Sequence, residues 1–202
     1  MRQIVVEGKK REVPDGMTYL ELAKEYQKDY LHDIVLVLEN GKMRELFRRV
    51  KNDSVVTFLT TGHTDGHKTY KRSATLLLLK AIFDVAGKEA VTGIKIHFSV
   101  SQGYYCTSKY LKPDAAFLDQ VQARMEELAA QSIPIQKKTV PVEEAIENFS
   151  RRGMKDKAKL FWYRRSSSVN IYDLDGFEDY YYGYMVPDTG YLKYVKLILY
   201  DE

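Results

Sequence analysis

The chain has 202 residues, 45% apolar and 29% charged, a balance that excludes a disordered segment and admits one large domain or two small ones. Its formal net charge of +3 sets up no global field toward nucleic acid or an acidic membrane, so any such attraction is local. No apolar run approaches 18 residues, and the greasy stretch 74–79, broken by Thr75, is far too short to span a bilayer. Met1-Arg2-Gln3 leads directly into an alternating strand with no signal-peptide core, and the single Cys106 excludes an internal disulfide and a cysteine-rich zinc site. A cytoplasmic protein without a membrane partner is the resulting expectation.

In chain order, residues 4–6 and 12–13 read as strands joined at Gly8-Lys9. Thr18 and Glu21 form a capping box, and Tyr19, Leu22, Ala23 and Tyr26 follow at helical spacing. Residues 34–38 are a continuous β-rich run, read as a central strand, and Asn40-Gly41 supplies the two positive-φ residues of a type I′ hairpin. A return strand and a last strand at 55–59 complete a β-β-α-β-β-β order, that of a β-grasp-like domain. Residues 61–68 read as a linker rich in Gly, Thr, His and Asp. Ser73 then caps a helix to Ala86, with Gly87 at C′. Residues 94–98 and 103–106 read as strands able to pair. Pro113 opens a helix striped by Phe117, Val121, Met125 and Leu128, and shorter helices are expected over 142–152 and 155–163. Residues 169–172 and 191–200 read as strand-rich.

Specific residues carry a resemblance. Gly16-Met17-Thr18 opening the first helix, Ala23 within it and Asn40-Gly41-Lys42 at the hairpin make residues 1–62 resemble a TGS domain, the β-grasp module of threonyl-tRNA synthetases, some GTPases and some stringent-response enzymes. Residues 68–190 resemble the following, editing domain of threonyl-tRNA synthetase, on Tyr70-Lys71-Arg72-Ser73, Gly103-Tyr104-Tyr105, Arg124-Met125, Ala145 with Phe149, Val186-Pro187 and Thr189-Gly190. The resemblance implies an α+β fold: a β-grasp domain over 1–62, then a threonyl-tRNA synthetase second-domain-like α+β domain over 63–202. It also implies four metal-site positions, which fall here on Arg72, Leu76, Tyr181 and Met185. Arginine has no lone pair to offer and leucine no donor atom, so neither a metal nor the editing reaction is expected.

The run 177–192, Arg72-Ser73 leading into 76–80, and Gly103-Tyr-Tyr-Cys106 are also similar to the front end of bacterial uridine kinase-like proteins, which carry the same two domains before a P-loop kinase. That resemblance implies a non-catalytic accessory region of a nucleoside kinase, with its own C-terminal kinase domain as partner and ATP and Mg²⁺ bound only there. No Walker A loop occurs in this chain; in Gly62-His-Thr-Asp-Gly66-His-Lys68-Thr69 the second glycine and the lysine are misplaced, and no strand is read leading tightly into it. The alternative is an RNA- or tRNA-binding module derived from threonyl-tRNA synthetase, its editing activity lost.

Two candidate sites remain. Arg72, with Tyr181, Met185 and Asp179, marks the vacated metal pocket: the cation either binds a small anionic or nucleotide ligand or pairs with Asp179 or Glu178. Arg151, Arg152, Lys155, Lys157, Lys159, Arg164 and Arg165 make seven cations against one acid, beside Phe161-Trp162-Tyr163. They are either a phosphate- and base-binding patch or a solvated helix face with the aromatics split between core and surface. Tyr180, Tyr181, Tyr182 and Tyr184 pack a surface or line a stacking pocket. His32, His63, His67 and His97 read as structural or linker histidines, and Cys106 has no neighbour that would make it a nucleophile.

Overall fold

The computed structural model describes residues 1–101, 103–163 and 166–200. Its first strands, β1 (Arg2–Val6) and β2 (Lys9–Val13), pair antiparallel across a turn whose positive-φ residues are Glu7 and Gly8, one position earlier than expected. Helix α1 (Tyr19–Tyr26) starts at the expected capping box, with Thr18 accepting from the Glu21 N–H and Glu21 bonding back to the Thr18 N–H. Strands β3 (Ile34–Glu39) and β4 (Lys42–Glu45) turn at Asn40 and Gly41, both at positive φ, and β5 (Ser54–Thr60) closes a sheet of order β2-β1-β5-β3-β4. One helix across a five-stranded mixed sheet is the β-grasp arrangement. The middle position belongs to β5, whereas β3 is an interior strand beside it.

Strand β3 reads without alternation because it is buried on both sides. A register shift between Ile34 and Leu36 breaks the two-residue period. Ile34 and Val37 face α1, while Val35 and Leu36 join the core on the opposite side.

The linker expected over 61–68 is not a linker. The chain leaves β5 at Thr60 and enters α2 (Thr64–Thr92) with His63 as N-cap. The Thr60 N–H donates to His63 Nδ1 at 3.0 Å, and Gly66 lies so close to β5 that a Cβ there would stand 2.0 Å from the Thr60 carbonyl oxygen. Glycine is needed for close backbone approach, which composition alone reads as flexibility. A strand therefore does lead into the Gly62–Thr69 segment, but the intervening turn is too short to cradle phosphate. Ser73 lies inside α2 and donates to the Thr69 carbonyl. Gly87, at φ 81°, kinks the helix, which resumes for one more turn.

Strands β6 (Ile94–Val100) and β7 (Gly103–Ser108) form the expected two-stranded ribbon. Asp114 caps α3 (Ala115–Ala130), placing Pro113 just ahead of the helix instead of within its first turn. Val121, Met125 and Leu128 are buried as expected. Strand β8 (Gln136–Pro141), which the sequence did not reveal, leads into α4 (Val142–Arg151) and α5 (Lys155–Trp162). Strands β9 (Ser168–Leu174) and β10 (Phe177–Tyr180) complete a second sheet of order β10-β9-β8. The expected strand over 191–200 does not form: after a 3₁₀ turn at Thr189–Tyr191, the segment is held by the Gln122 side chain, which donates to Val195 O and accepts from the Leu197 N–H.

Three apolar clusters hold the molecule together. One lies between α1 and the first sheet, and one between α4, α5 and β9. The largest gathers Val35 and Leu36 with Leu76, Leu77, Met125, Tyr172, Met185 and Leu192.

Candidate ligand cavity and basic face

The α2 helix and the segment following β10 meet where the resemblance places the lost metal ligands. Arg72 Nη1 donates to Tyr184 O at 2.7 Å. One residue on, Ser73 Oγ accepts from the Val186 N–H at 2.9 Å and touches Met185 Sδ at 3.3 Å. Leu76 and Met185 are buried in the large core cluster. The four positions do converge, but their side chains form a packed apolar floor topped by a guanidinium. That donor set does not fit zinc. Among the described residues, no group of three or more His, Cys, Asp or Glu stands ready to hold a metal ion.

Above this floor lies a cavity of about 530 Å³. Arg72 and Tyr181 line it, together with Lys68 from the first turns of α2, Lys137 from β8, Asn170 from β9 and Tyr182. Asp179 and Met185 do not line it. The Asp179 carboxylate, on β10, is buried and takes an ion pair from Lys157; of the two readings of Arg72, the pairing with Asp179 or Glu178 is not made. Tyr181 points its hydroxyl inward. Burial, reinforced by the nearby Asp179 charge, pushes this phenol well above its usual range, so it stays neutral. Among the described residues, neither Tyr181 Oη nor Asp179 Oδ2 completes a well-formed hydrogen bond.

Glu45, at the end of β4, underlies one wall of the cavity. Its Oε1 accepts from the Met185 N–H at 3.1 Å and lies 2.7 Å from the Tyr172 hydroxyl, while Oε2 meets Lys137 Nζ at 2.8 Å. Burial and this carboxylate raise the Tyr172 pKa far above that of a free phenol. Lys137 also lies over the Tyr172 and Tyr184 rings. Sequence reasoning missed Lys68 because it was assigned to a linker. It missed Lys137 and Glu45 because a short strand of mixed residues gives no sign of which charge is buried.

The basic window divides. Arg152 pairs with Glu178 at 2.6 Å and Lys157 with Asp179, so both serve the fold. Arg151 reaches Asn148 at 2.6 Å and remains exposed, while Arg164 and Arg165 lie outside the described residues. Lys155, Lys159, Trp162 and the C-cap Tyr163 share one exposed stripe of α5 at i, i+4, i+7 and i+8. Phe161 is 1% exposed, whereas Trp162 is 64% and Tyr163 88%, so the aromatics divide between core and surface, as the solvated-face alternative has them. Burial pushes the Cys106 thiol up, against a nucleophilic role. His97 bonds Thr107 at 2.7 Å, consistent with a structural histidine. No helix among the described residues is long and apolar enough to cross a membrane.

No protein-family model matches the chain. It is similar to the "Threonine--tRNA ligase" of Methylococcus capsulatus, 30% identical over 194 residues, and to that of Polaromonas sp., 28% identical over 194 residues, each covering 95% of this chain. The Thermotoga maritima protein of the same name is 26% identical over 197 residues, again covering 95% of the chain. The chain spans about 30% of the length of these relatives. Their names support the synthetase-derived reading and lend none to the nucleoside-kinase one. Over 95% of its length, this α+β chain is similar to those threonine–tRNA ligases.

Proposed function

We propose that residues 1–202 form an RNA-binding module, without editing chemistry, related to the threonine–tRNA ligases it resembles. The module comprises a β-grasp part over 1–62 and an editing-domain-like part over 63–202. The observation that carries the reading is the filled metal site: Leu76 and Met185 lie in the core and Arg72 is tied to Tyr184 O, on a chain otherwise similar to those ligases throughout. Hydrolysis of a mischarged ester would lack its site, while a surface for RNA remains. That surface is the α5 stripe, whose lysines have no ion pair among the described residues and whose Trp162 and Tyr163 rings are open to stack bases.

The test is fluorescence anisotropy with labelled tRNA between 50 and 200 mM salt. Three or four phosphate contacts predict an affinity loss of roughly 10- to 100-fold across that range. Trp162→Ala should weaken binding by about fivefold or more, as loss of one stacked base does. Affinity that ignores both salt and charge reversal at Lys155 and Lys159 would overturn the proposal. Tightly bound stoichiometric zinc in the purified protein would overturn the loss of the metal site.

A further inference from the structure

The cavity over the filled metal site has an unbalanced wall. Three cations, Lys68, Arg72 and Lys137, line it with a single carboxylate, Asp65. Lys137 is neutralised from behind by Glu45, whereas Lys68 reaches Asp65 only at 3.8 Å. Arg72 has no carboxylate within 4.0 Å among the described residues. Its guanidinium is nevertheless held still. One Nη1 hydrogen goes to Tyr184 O, and the flat group rests on Gly183, where a Cβ would stand 2.5 Å from Arg72 Cζ and the backbone φ is 125°. Among the described residues the remaining N–H donors meet no acceptor, so they can make a fork. A fixed guanidinium beside a lysine, in a half-enclosed space, suits a doubly charged oxyanion that accepts paired N–H bonds. The cavity, about 530 Å³, has room for far more than an inorganic ion, within the range typical of small-molecule sites.

We propose that this cavity binds a small molecule bearing a phosphate monoester, with the phosphate on Arg72 and Lys68 and the rest of the molecule against the tyrosine-rich wall. Lys137 contributes its charge from the side, and Gly183 is a positioning residue that keeps Arg72 in place. The inference rests on the cavity alone and is independent of RNA binding at α5.

Isothermal titration of the whole chain with inorganic phosphate, adenosine 5′-monophosphate and adenosine tests it. The monophosphate should bind saturably and adenosine at least about tenfold more weakly, the difference being one desolvated charge-assisted contact. Arg72→Gln and Gly183→Ala should each weaken monophosphate binding about tenfold or more while cooperative melting is retained, and Lys68→Gln should weaken it less. Phosphate binding as well as the monophosphate would keep the anion site and assign no role to the ring. Adenosine equal to its monophosphate, or neither phosphate compound binding at about 10 mM, overturns the proposal. So does a folded Arg72→Gln with unchanged affinity; should that variant not fold, unchanged binding in Lys68→Gln, whose side chain is mostly exposed, decides against it.

Discussion

Glu45 brings a charge into a place where its side chain is only 3% exposed, and it is accepted there because three donors converge on it. Removing one partner of such a pair leaves the other charge buried and unmatched, which costs about 3–5 kcal/mol. Glu45→Gln should therefore lower the unfolding free energy by about that amount in urea titrations. The double variant Glu45→Gln, Lys137→Met should recover much of the loss, because it removes the stranded ammonium as well. Equal destabilisation of single and double variants would show that the carboxylate acts through its backbone contact to Met185. None of this was legible in Lys-Met-Arg-Glu, where the burial of the last residue depends on a segment 140 positions away.

Elements whose signals are local were readable. Thr18 with Glu21, Asn40-Gly41 and the Val121, Met125, Leu128 stripe all act within a few residues, and each stands where its chemistry places it. Elements defined by distant partners were not. Strand β8 exists because β9 supplies its ladder, and residues 193–200 form no strand because the partners they meet are side chains, Tyr70 at Tyr194 and Gln122 at Val195 and Leu197. Two glycines of α2 show the same divide. Gly87 has open space around it, but its φ of 81° with ψ of −178° is a conformation essentially confined to glycine, so Gly87→Ala should cost about 1–3 kcal/mol from backbone strain alone. Gly66→Ala would drive a methyl into the Thr60 carbonyl, so its loss in thermal and urea unfolding should be clearly larger, on the order of 3 kcal/mol or more. A Gly66→Ala variant as stable as Gly87→Ala would mean that the strand–helix junction yields.

Across the whole molecule, the proposed division at 62/63 cuts the chain without cutting the core. Val35 and Leu36 belong to the first sheet, yet they share a cluster with Leu76, Leu77 and Met185. Buried apolar area common to both parts couples their stabilities. Native-state hydrogen exchange should accordingly give β3 and the first half of α2 one common opening free energy. Two separate values, with the first sheet opening on its own, would make the parts independent. The overall α+β plan was accessible from the sequence because it follows hydrophobic period and turn residues. The joining of the two parts was not, because it is written in a glycine and a buried glutamate.

The contact of Gly66 with the end of β5 has a consequence for recognition. A partner that grips flexibly tethered modules must first stop their relative tumbling, and it loses affinity in doing so. Here three residues and a backbone-to-backbone touch separate sheet from helix, a connection too short and too closely packed to act as a flexible tether. The molecule presents its surfaces at a set spacing, like marks on a ruler. Such a fixed spacing would favour a ligand whose own shape matches it over one that had to bend to fit.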